Sequence, residues 1–257
     1  MLQRVVHLTA VIPARFAAVR LPGKPLADIL GKPMVVRVAE ACARAPGLNT
    51  VAVATDDERI AKAVRDAGYL AVMTDPACKN GTERVAQAAR ELPGDAFLNV
   101  QGDEPLVEPE AIATLAALMR TGVDYGTLAR PLAAGEEHKD SVVKVVLDAQ
   151  GRALYFSRSL LPFPRTPGLV QPLAHLGLYG FSKPFLQAFA RLPETALEQA
   201  EGLEQLRALF HGHALHVRVG DFHSVAVDTP ADLDHVRELF AAFHKSATPA
   251  SPERRTA

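Results

Sequence analysis

The chain of 257 residues has 28 lysines and arginines against 29 aspartates and glutamates, a formal net charge of -1. This balance offers no basic surface to a nucleic-acid backbone, so we expect no nucleic-acid partner. The length allows a substantial apolar core, and Cys42 and Cys78 have neither disulfide nor zinc-site spacing. The short apolar run near the start is broken by His7, which indicates no signal peptide or membrane span and favours a cytoplasmic protein.

The first half of the chain alternates short apolar runs with helical patterns. The apolar runs predict strands at residues 8–12, 51–54, 70–73 and 97–100. Apolar residues at helical spacing predict helices at residues 33–45, 56–67, 82–91 and 109–119. Asp56 is a candidate cap of the second helix, and Gly68 is expected to end it. Strands that alternate with helices predict a mostly parallel sheet covered by helices on both faces.

From Asp124 onward the pattern changes. Closely spaced apolar runs predict strands at residues 125–129, 142–147, 153–157, 176–181 and 214–219, which indicates a smaller antiparallel or mixed extension of the sheet. Helical spacing returns at residues 184–191, 198–210 and 230–243. Residues 246–257 are rich in proline, serine and charge, so we expect a disordered tail after one α/β domain at residues 1–245.

The segment after the first strand is rich in positive charge. In open α/β sheets ligands bind at the carboxyl ends of the strands, and this segment carries Arg15, Arg20 and Lys24, with Gly23 allowing a tight turn. Two guanidinium groups and an ammonium suit a triphosphate. Neither GxGxxG nor GxxxxGK[ST] is present, and from charge alone an ordinary solvated surface is the better interpretation.

Two aspartates follow predicted strands or precede a predicted helix. Asp103 lies in a Gly-Asp-Glu-Pro segment after the fourth strand, and Asp228 precedes Thr229 and Pro230. Each has an ordinary explanation, since the first segment is typical of a turn and the second of a helix cap. Aspartates distant in sequence can also converge on one Mg²⁺, which binds a few carboxylates and otherwise takes phosphate and substrate oxygens.

The string RLPGKPL at residues 20–26 resembles the nucleotide-binding signature of the 3-deoxy-manno-octulosonate (KDO) cytidylyltransferases, also called CMP-KDO synthetases. The likeness extends in order from about residue 9 to about residue 240. It is carried by NGTER at 80–84, NVQGDEP at 99–105, VKVVLD at 143–148, ALYFSR at 153–158, HLGLYG at 175–180, LEQLR at 203–207 and VDTP at 227–230. The chain departs from the family pattern at Ala18, Val19 and Asn80, and its segment 161–174 is shorter.

This resemblance implies a nucleotide-diphospho-sugar transferase-like, Rossmann-like α/β fold, with a CTP-binding half at about residues 9–123. The second half, at about residues 124–240, would bind the sugar and form a homodimer. The implied activity transfers CMP from CTP to the anomeric hydroxyl of KDO for lipopolysaccharide synthesis. The residues implied to contact CTP are Arg15, Arg20, Gly23, Lys24, Asn80, Gly81 and Gln101. Asp103 and Asp228 would bind Mg²⁺, and Arg15 and Lys24 would join them in catalysis.

The resemblance also implies five residues around the sugar. They are Arg158, as partner of the sugar carboxylate, and His175, Tyr179, Glu204 and Gln205. From the sequence pattern alone, His175 and Tyr179 alternate along a strand and could lie at the edge of the core, and Glu204 and Gln205 could be ordinary helix residues.

Several alternatives remain open. A sister cytidylyltransferase that acts on sialic acid or 8-amino-KDO would share the CTP half. A non-catalytic sugar-nucleotide binding protein is a second alternative, although both aspartates are present. A dinucleotide-dependent dehydrogenase would need a glycine-rich turn after the first strand, which this chain lacks.

Overall fold

The computed structural model describes residues 6–17 and 21–247, and only the backbone for residues 243–247. The described residues form eleven strands: β1 (Leu8–Ala14), β2 (Asp28–Ile29), β3 (Lys32–Pro33), β4 (Thr50–Thr55), β5 (Leu70–Met73), β6 (Ala96–Asn99), β7 (Tyr125–Pro131), β8 (Lys144–Leu147), β9 (Ala153–Ser157), β10 (Leu173–Ser182) and β11 (His216–Val219). They also form a 3-10 helix at Lys24–Leu26 and the α-helices α1 (Met34–Arg44), α2 (Glu58–Asp66), α3 (Gly81–Glu91), α4 (Pro109–Arg120), α5 (Lys183–Phe189), α6 (Ala196–Glu201), α7 (Leu206–Phe210) and α8 (Pro230–Ala247).

One large mixed sheet organises the molecule. Its strand order is β11-β7-β10-β6-β1-β4-β5, and β8 and β9 extend it from β10. β6, β1, β4 and β5 are parallel, whereas β10 is antiparallel to both of its neighbours, β6 and β7. β2 and β3 form a separate antiparallel pair. The prediction of a parallel half followed by a mixed extension is confirmed.

β1 lies at the centre of the parallel half and is buried on both faces. Alternate residues of a strand point to opposite sides of a sheet. Leu8 and Ile12 accordingly belong to the apolar cluster that includes buried residues of α1 and α4. Val11 belongs to the cluster on the other face, which includes buried residues of α3 and α5. The continuous apolar run of β1 is therefore explained by two covering layers of helices.

Several predicted boundaries were wrong. Asp57, not Asp56, caps α2, where its side chain accepts a hydrogen bond from the Arg59 amide. The single helix predicted at 198–210 is two helices, because Gly202 adopts a left-handed conformation with φ of 62° and ends α6. β10 begins three residues before its predicted start. α8 continues through the first two residues of the predicted tail, and the rest of that tail lies outside the described residues.

Candidate active site

A cleft of about 490 Å³ opens where β1 and β6 end and α3 begins. Seven of the residues predicted for the nucleotide and metal sites line it: Arg15, Lys24, Asn80, Gly81, Gln101, Asp103 and Asp228. The structure thus brings together residues that are up to 213 positions apart in the chain. Of the other predicted residues, Gly23 directly precedes Lys24, and Arg20 lies outside the described residues.

The turn after β6 lies directly against the end of β1. A Cβ atom at Gly102 would lie 2.7 Å from the carbonyl oxygen of Pro13, which is closer than real Cβ contacts. Glycine at this position therefore lets the two loops meet, and places Gln101 and Asp103 on the same cleft as Arg15.

The loop that carries Lys24 is closed on itself. The Gly23 amide donates to the Phe16 carbonyl oxygen at 3.2 Å, and Gly23 adopts a left-handed conformation, with φ of 69°, at the start of the 3-10 helix. The guanidinium group of Arg59, on α2, lies 3.4 Å from the centroid of the Phe16 ring. These contacts fix the base of the loop against α2, so that the lysine side chain enters the cleft from a supported backbone.

The Lys24 ammonium lies between the two predicted metal ligands. Nζ is 2.7 Å from Asp103 Oδ2, 3.3 Å from Asp228 Oδ1 and 2.9 Å from the carbonyl oxygen of Val227. The Val227 amide also donates to the carbonyl oxygen of Asp103 at 2.8 Å, which joins the two aspartate-bearing loops. The lysine side chain is only 16% exposed, which strengthens these electrostatic interactions relative to a solvated pair.

The two carboxylates have the donor chemistry that Mg²⁺ prefers. They converge on a single positively charged atom, so the turn after β6 and the segment before α8 supply hard oxygen ligands to one point. Within residues 6–17 and 21–247, no group of three or more His, Cys, Asp or Glu side chains could hold a metal ion. Two carboxylates at one point suit a hard cation such as Mg²⁺, which commonly takes its other ligands from substrate and water oxygens.

The N-terminus of α3 forms the opposite wall of the cleft. Asn80 Oδ1 accepts a hydrogen bond from the Glu83 amide at 2.8 Å and caps the helix, a role that serine can also fill. Asn80 and Gly81 both line the cleft, and the positive end of a helix dipole favours an anion at this place.

Arg84 is a cleft residue that the sequence analysis did not select. Its guanidinium group donates to Asp56 at 2.8 Å and to the Thr74 hydroxyl, and the residue is buried. The string at residues 80–84 contained it, but a charged residue in a helical pattern looks like a solvated one. Arg84 is buried because α3 packs against the ends of β4 and β5, where Asp56 and Thr74 lie.

Three of the predicted sugar residues, Tyr179, Glu204 and Gln205, form side-chain hydrogen bonds with other residues of the protein. Tyr179 Oη donates to Gln205 Oε1 at 3.1 Å, and Glu204 Oε2 accepts from the hydroxyl of Thr82 at 2.8 Å. Burial raises the pKa of Tyr179, helped by the negative charges of Glu204 and Glu104, and burial also raises the pKa of Glu204. Gln205 is 2% exposed, and its Nε2 makes no hydrogen bond in the described part of the chain.

His175 is held on β10 by a buried threonine. Its Nε2 lies 3.0 Å from the Thr127 hydroxyl, and burial lowers the pKa of His175 to about 3. The register of β10 against β7 shifts between Leu176 and Tyr179. At this irregularity a Cβ on Gly177 would lie 3.6 Å from Glu104 Oε1, so β10 passes beside the turn that carries Asp103.

Arg158 occupies a different position from the other predicted sugar residues. Its guanidinium group donates to the backbone carbonyl oxygens of Glu201, Asp140 and Gly202, at 2.7, 2.8 and 3.4 Å. It does not line the cleft around Lys24. These bonds tie β9 to the end of α6, and the role of Arg158 toward a sugar carboxylate stays a prediction.

The chain is similar to known proteins along most of its length. A family profile described as "Cytidylyltransferase" matches residues 9–217. The chain is 52% identical over 240 residues to "3-deoxy-manno-octulosonate cytidylyltransferase" of Anaeromyxobacter sp. (strain K), which covers 92% of this chain and 98% of that protein. It is 51% identical over 236 residues to the protein of the same name from Myxococcus xanthus (strain DK1622), covering 91% and 96%. The solved structure of CMP:2-keto-3-deoxy-manno-octonic acid synthetase complexed with CTP matches with a TM-score of 0.89 at 40% identity, covering 92% of this chain and 99% of that one.

The fold and the cleft thus define a nucleotidyltransferase, and the chain belongs to the cytidylyltransferase family. Within that family it stands with the 3-deoxy-manno-octulosonate cytidylyltransferases, to which it is similar along nearly its whole length. In the described part of the chain, no helix combines the length and apolar character needed to cross a membrane.

Proposed function

We propose that this protein transfers CMP from CTP to the anomeric C2 hydroxyl of KDO, giving CMP-KDO and pyrophosphate for lipopolysaccharide synthesis. The observation that carries the proposal is the convergence of Asp103, Asp228 and Lys24 in one cleft beside the N-terminus of α3. A triphosphate needs positive charge and backbone N–H donors, and the reaction needs carboxylates for a metal ion. The cleft contains all of these groups.

The nucleotide half binds and orients CTP. Arg15 and Lys24 line the cleft together with Asn80 and Gly81 at the start of α3. The two cations neutralise charge on the triphosphate, and the N–H donors position it. Gln101 supplies an amide at the end of β6. Fixed donors of this kind also stabilise charge that builds on the phosphate oxygens during transfer, which usually contributes most to lowering such barriers.

Asp103 and Asp228 are the residues that would hold Mg²⁺. When bound, this ion supplies positive charge at the reacting phosphate and increases the acidity of a nearby hydroxyl. The two carboxylates would hold this ion in the cleft. The C2 hydroxyl oxygen of the sugar forms its bond to the α-phosphorus while the bond to pyrophosphate breaks and the hydroxyl proton passes to water.

The acceptor sugar binds on the side of β10. Tyr179, Glu204 and Gln205 form a half-buried to buried polar group with hydroxyl, carboxylate and amide functions, which suits a sugar with many hydroxyls. His175 contributes a neutral imidazole, because its pKa of about 3 leaves it uncharged near pH 7. To bind the sugar carboxylate, Arg158 must release one of the backbone carbonyl oxygens to which it now donates.

The test is pyrophosphate release by the full chain with CTP, Mg²⁺ and KDO, beside UTP, sialic acid and 8-amino-KDO. We expect release only with CTP and KDO, and a loss of more than about 100-fold in kcat for Asp103→Asn and Asp228→Asn. Asp66→Asn is the matched control, since Asp66 is an exposed residue of α2 that pairs with Lys62. Turnover with another acidic sugar and not with KDO would identify that sugar as the acceptor. Silence with every acceptor would favour a non-catalytic sugar-nucleotide binding protein.

We also propose that the protein acts in the cytoplasm, where CTP is available, and that it is a homodimer. Support for the dimer comes from the second half of the chain, where several large apolar side chains are exposed: Leu154, Phe163, Leu169 and Val170. Exposed apolar groups of this kind are typical of association surfaces. Light scattering of the purified protein tests the dimer, and a monomer at micromolar concentration would refute it.

A further inference from the structure

Thr82 lies between the nucleotide cleft and the proposed sugar residues. It is the second residue of α3, directly after Asn80 and Gly81, which line the cleft. Thr82 itself does not line that cleft, and its hydroxyl donates to Glu204 Oε2 at 2.8 Å, across 122 positions of the chain. The first turn of α3 therefore contacts both regions: Asn80 and Gly81 line the nucleotide cleft, and Thr82 bonds to a proposed sugar residue.

The same hydroxyl also accepts a hydrogen bond. Asn99 Nδ2 donates to Thr82 Oγ1 at 3.3 Å, and Asn99 Oδ1 lies 3.4 Å from Gln101 Nε2. Gln101 is itself a cleft residue, so the hydrogen bonds run without interruption from the cleft through Asn99 and Thr82 to Glu204. Tyr179 is the cross-strand partner of Asn99, which places this network beneath the proposed sugar site.

The centre of this network is buried. Thr82 is 4% exposed and Asn99 is 1% exposed, so water cannot replace a lost partner without rearrangement. A hydrogen bond to a carboxylate is stronger than one between neutral groups, and it fixes Glu204 in one orientation. Glu204 Oε1 makes no hydrogen bond with any described residue, which leaves this oxygen available to a donor group of a ligand.

We propose that Thr82 is a positioning residue that holds Glu204 for the acceptor sugar, and that it does not contact CTP itself. The inference rests on the proposed function, in which Glu204 binds a sugar hydroxyl. It assigns to α3 two tasks: residues 80–81 serve the nucleotide, and the next side chain orders the acceptor site. Loss of the hydroxyl should therefore affect the two substrates differently.

The experiment is steady-state kinetics of Thr82→Val and Thr82→Ser with both substrates varied. Valine has a similar shape without the hydroxyl, and serine keeps it. We expect Thr82→Val to raise the KM for KDO about tenfold, equivalent to about 1.4 kcal/mol, with the KM for CTP changed less than about twofold. Thr82→Ser should restore the KM for KDO to within about threefold. Thr114→Val, which removes an exposed threonine hydroxyl from α4, controls for the substitution itself.

A double variant tests whether Thr82 acts through Glu204. In a Glu204→Ala background, Thr82→Val should change the KM for KDO less than about twofold. The inference is overturned if both KM values rise together, if the KM for KDO does not change, or if the two substitutions are additive. Should Thr82→Val fail to fold, Thr82→Ala is compared with Thr82→Ser in the same way. Failure of the proposed function is distinct, because wild-type protein would then be inactive with KDO. Kinetics are then measured with whichever acidic sugar is turned over, and inactivity with all of them would overturn both proposals.

Discussion

Glu104 is expected to destabilise the folded protein at neutral pH, and Glu104→Gln should relieve this cost. The carboxyl lies next to Asp103 in the turn after β6, and its Oε2 accepts a hydrogen bond from the Ser224 hydroxyl. Burial raises its pKa from 4.5 to about 7; the Ser224 hydrogen bond opposes this and the charge of Asp103 adds to it. Glutamine has nearly the same shape, keeps an oxygen for Ser224 and carries no charge.

The size of the effect follows from the pKa. Each unit corresponds to about 1.4 kcal/mol, so a carboxyl raised from 4.5 to about 7 costs about 3 kcal/mol once it is ionised in both states. Because the pKa of the folded state is above that of the unfolded state, the cost is absent below pH 4.5. It grows as the pH rises and is complete above pH 7.

The assay is urea unfolding of wild type and Glu104→Gln between pH 4.5 and pH 8.5, with EDTA present so that no metal binds at Asp103. We expect equal stability near pH 4.5 and an advantage of about 3 kcal/mol for the variant at pH 8. Glu108→Gln is the control on the same segment. A difference that does not depend on pH, or a variant that is less stable at pH 8, would refute the reasoning.

Three further expectations concern stability and the shape of the cleft. Arg207 is 4% exposed and donates to both oxygens of Glu198, so Arg207→Met removes the charged partner of a carboxylate that is only 12% exposed. We expect a loss of about 3 kcal/mol in urea unfolding, partly recovered when Glu198→Gln is added; full additivity would contradict this. Gly102→Ala should cost about 1 to 3 kcal/mol, since its Cβ would lie 2.7 Å from the Pro13 carbonyl oxygen. The same variant should raise the KM for CTP. An unchanged KM would contradict this, because it would mean that the two loops can separate without affecting CTP binding.

The elements of the parallel half could be predicted because their signals are local. The run from Ala10 to Ala14 is apolar at every position, as expected of a strand buried on both faces, and the strand predicted there is confirmed. Where a single residue decides a boundary, the pattern was insufficient. The apolar pattern of residues 198–210 continues across Gly202 as if in one helix. The left-handed backbone of Gly202 ends α6, and α7 begins at Leu206.

The site was less accessible to sequence reasoning. Asp103 and Asp228 each had an adequate local explanation, and their convergence on Lys24 depends on the packing of segments far apart in the chain. The resemblance to a family selected them; charge and spacing did not. Thr82 shows the remaining difficulty: a threonine in the first turn of a helix looks like an ordinary helix residue, and its bond to Glu204 exists only in three dimensions.

The reversed direction of β10 divides that strand into two parts with different constraints. Residues 179–182 pair with β6, while residues 173–176 extend past its end and pair with β7, and the first two of them also with β8. The first part is fixed to β6 of the parallel half by backbone hydrogen bonds. The second part, which carries His175, makes no such bonds to β6. Substitutions at residues 173–176 therefore leave the backbone ladder between β10 and β6 in place, so the two parts of one strand can be varied separately.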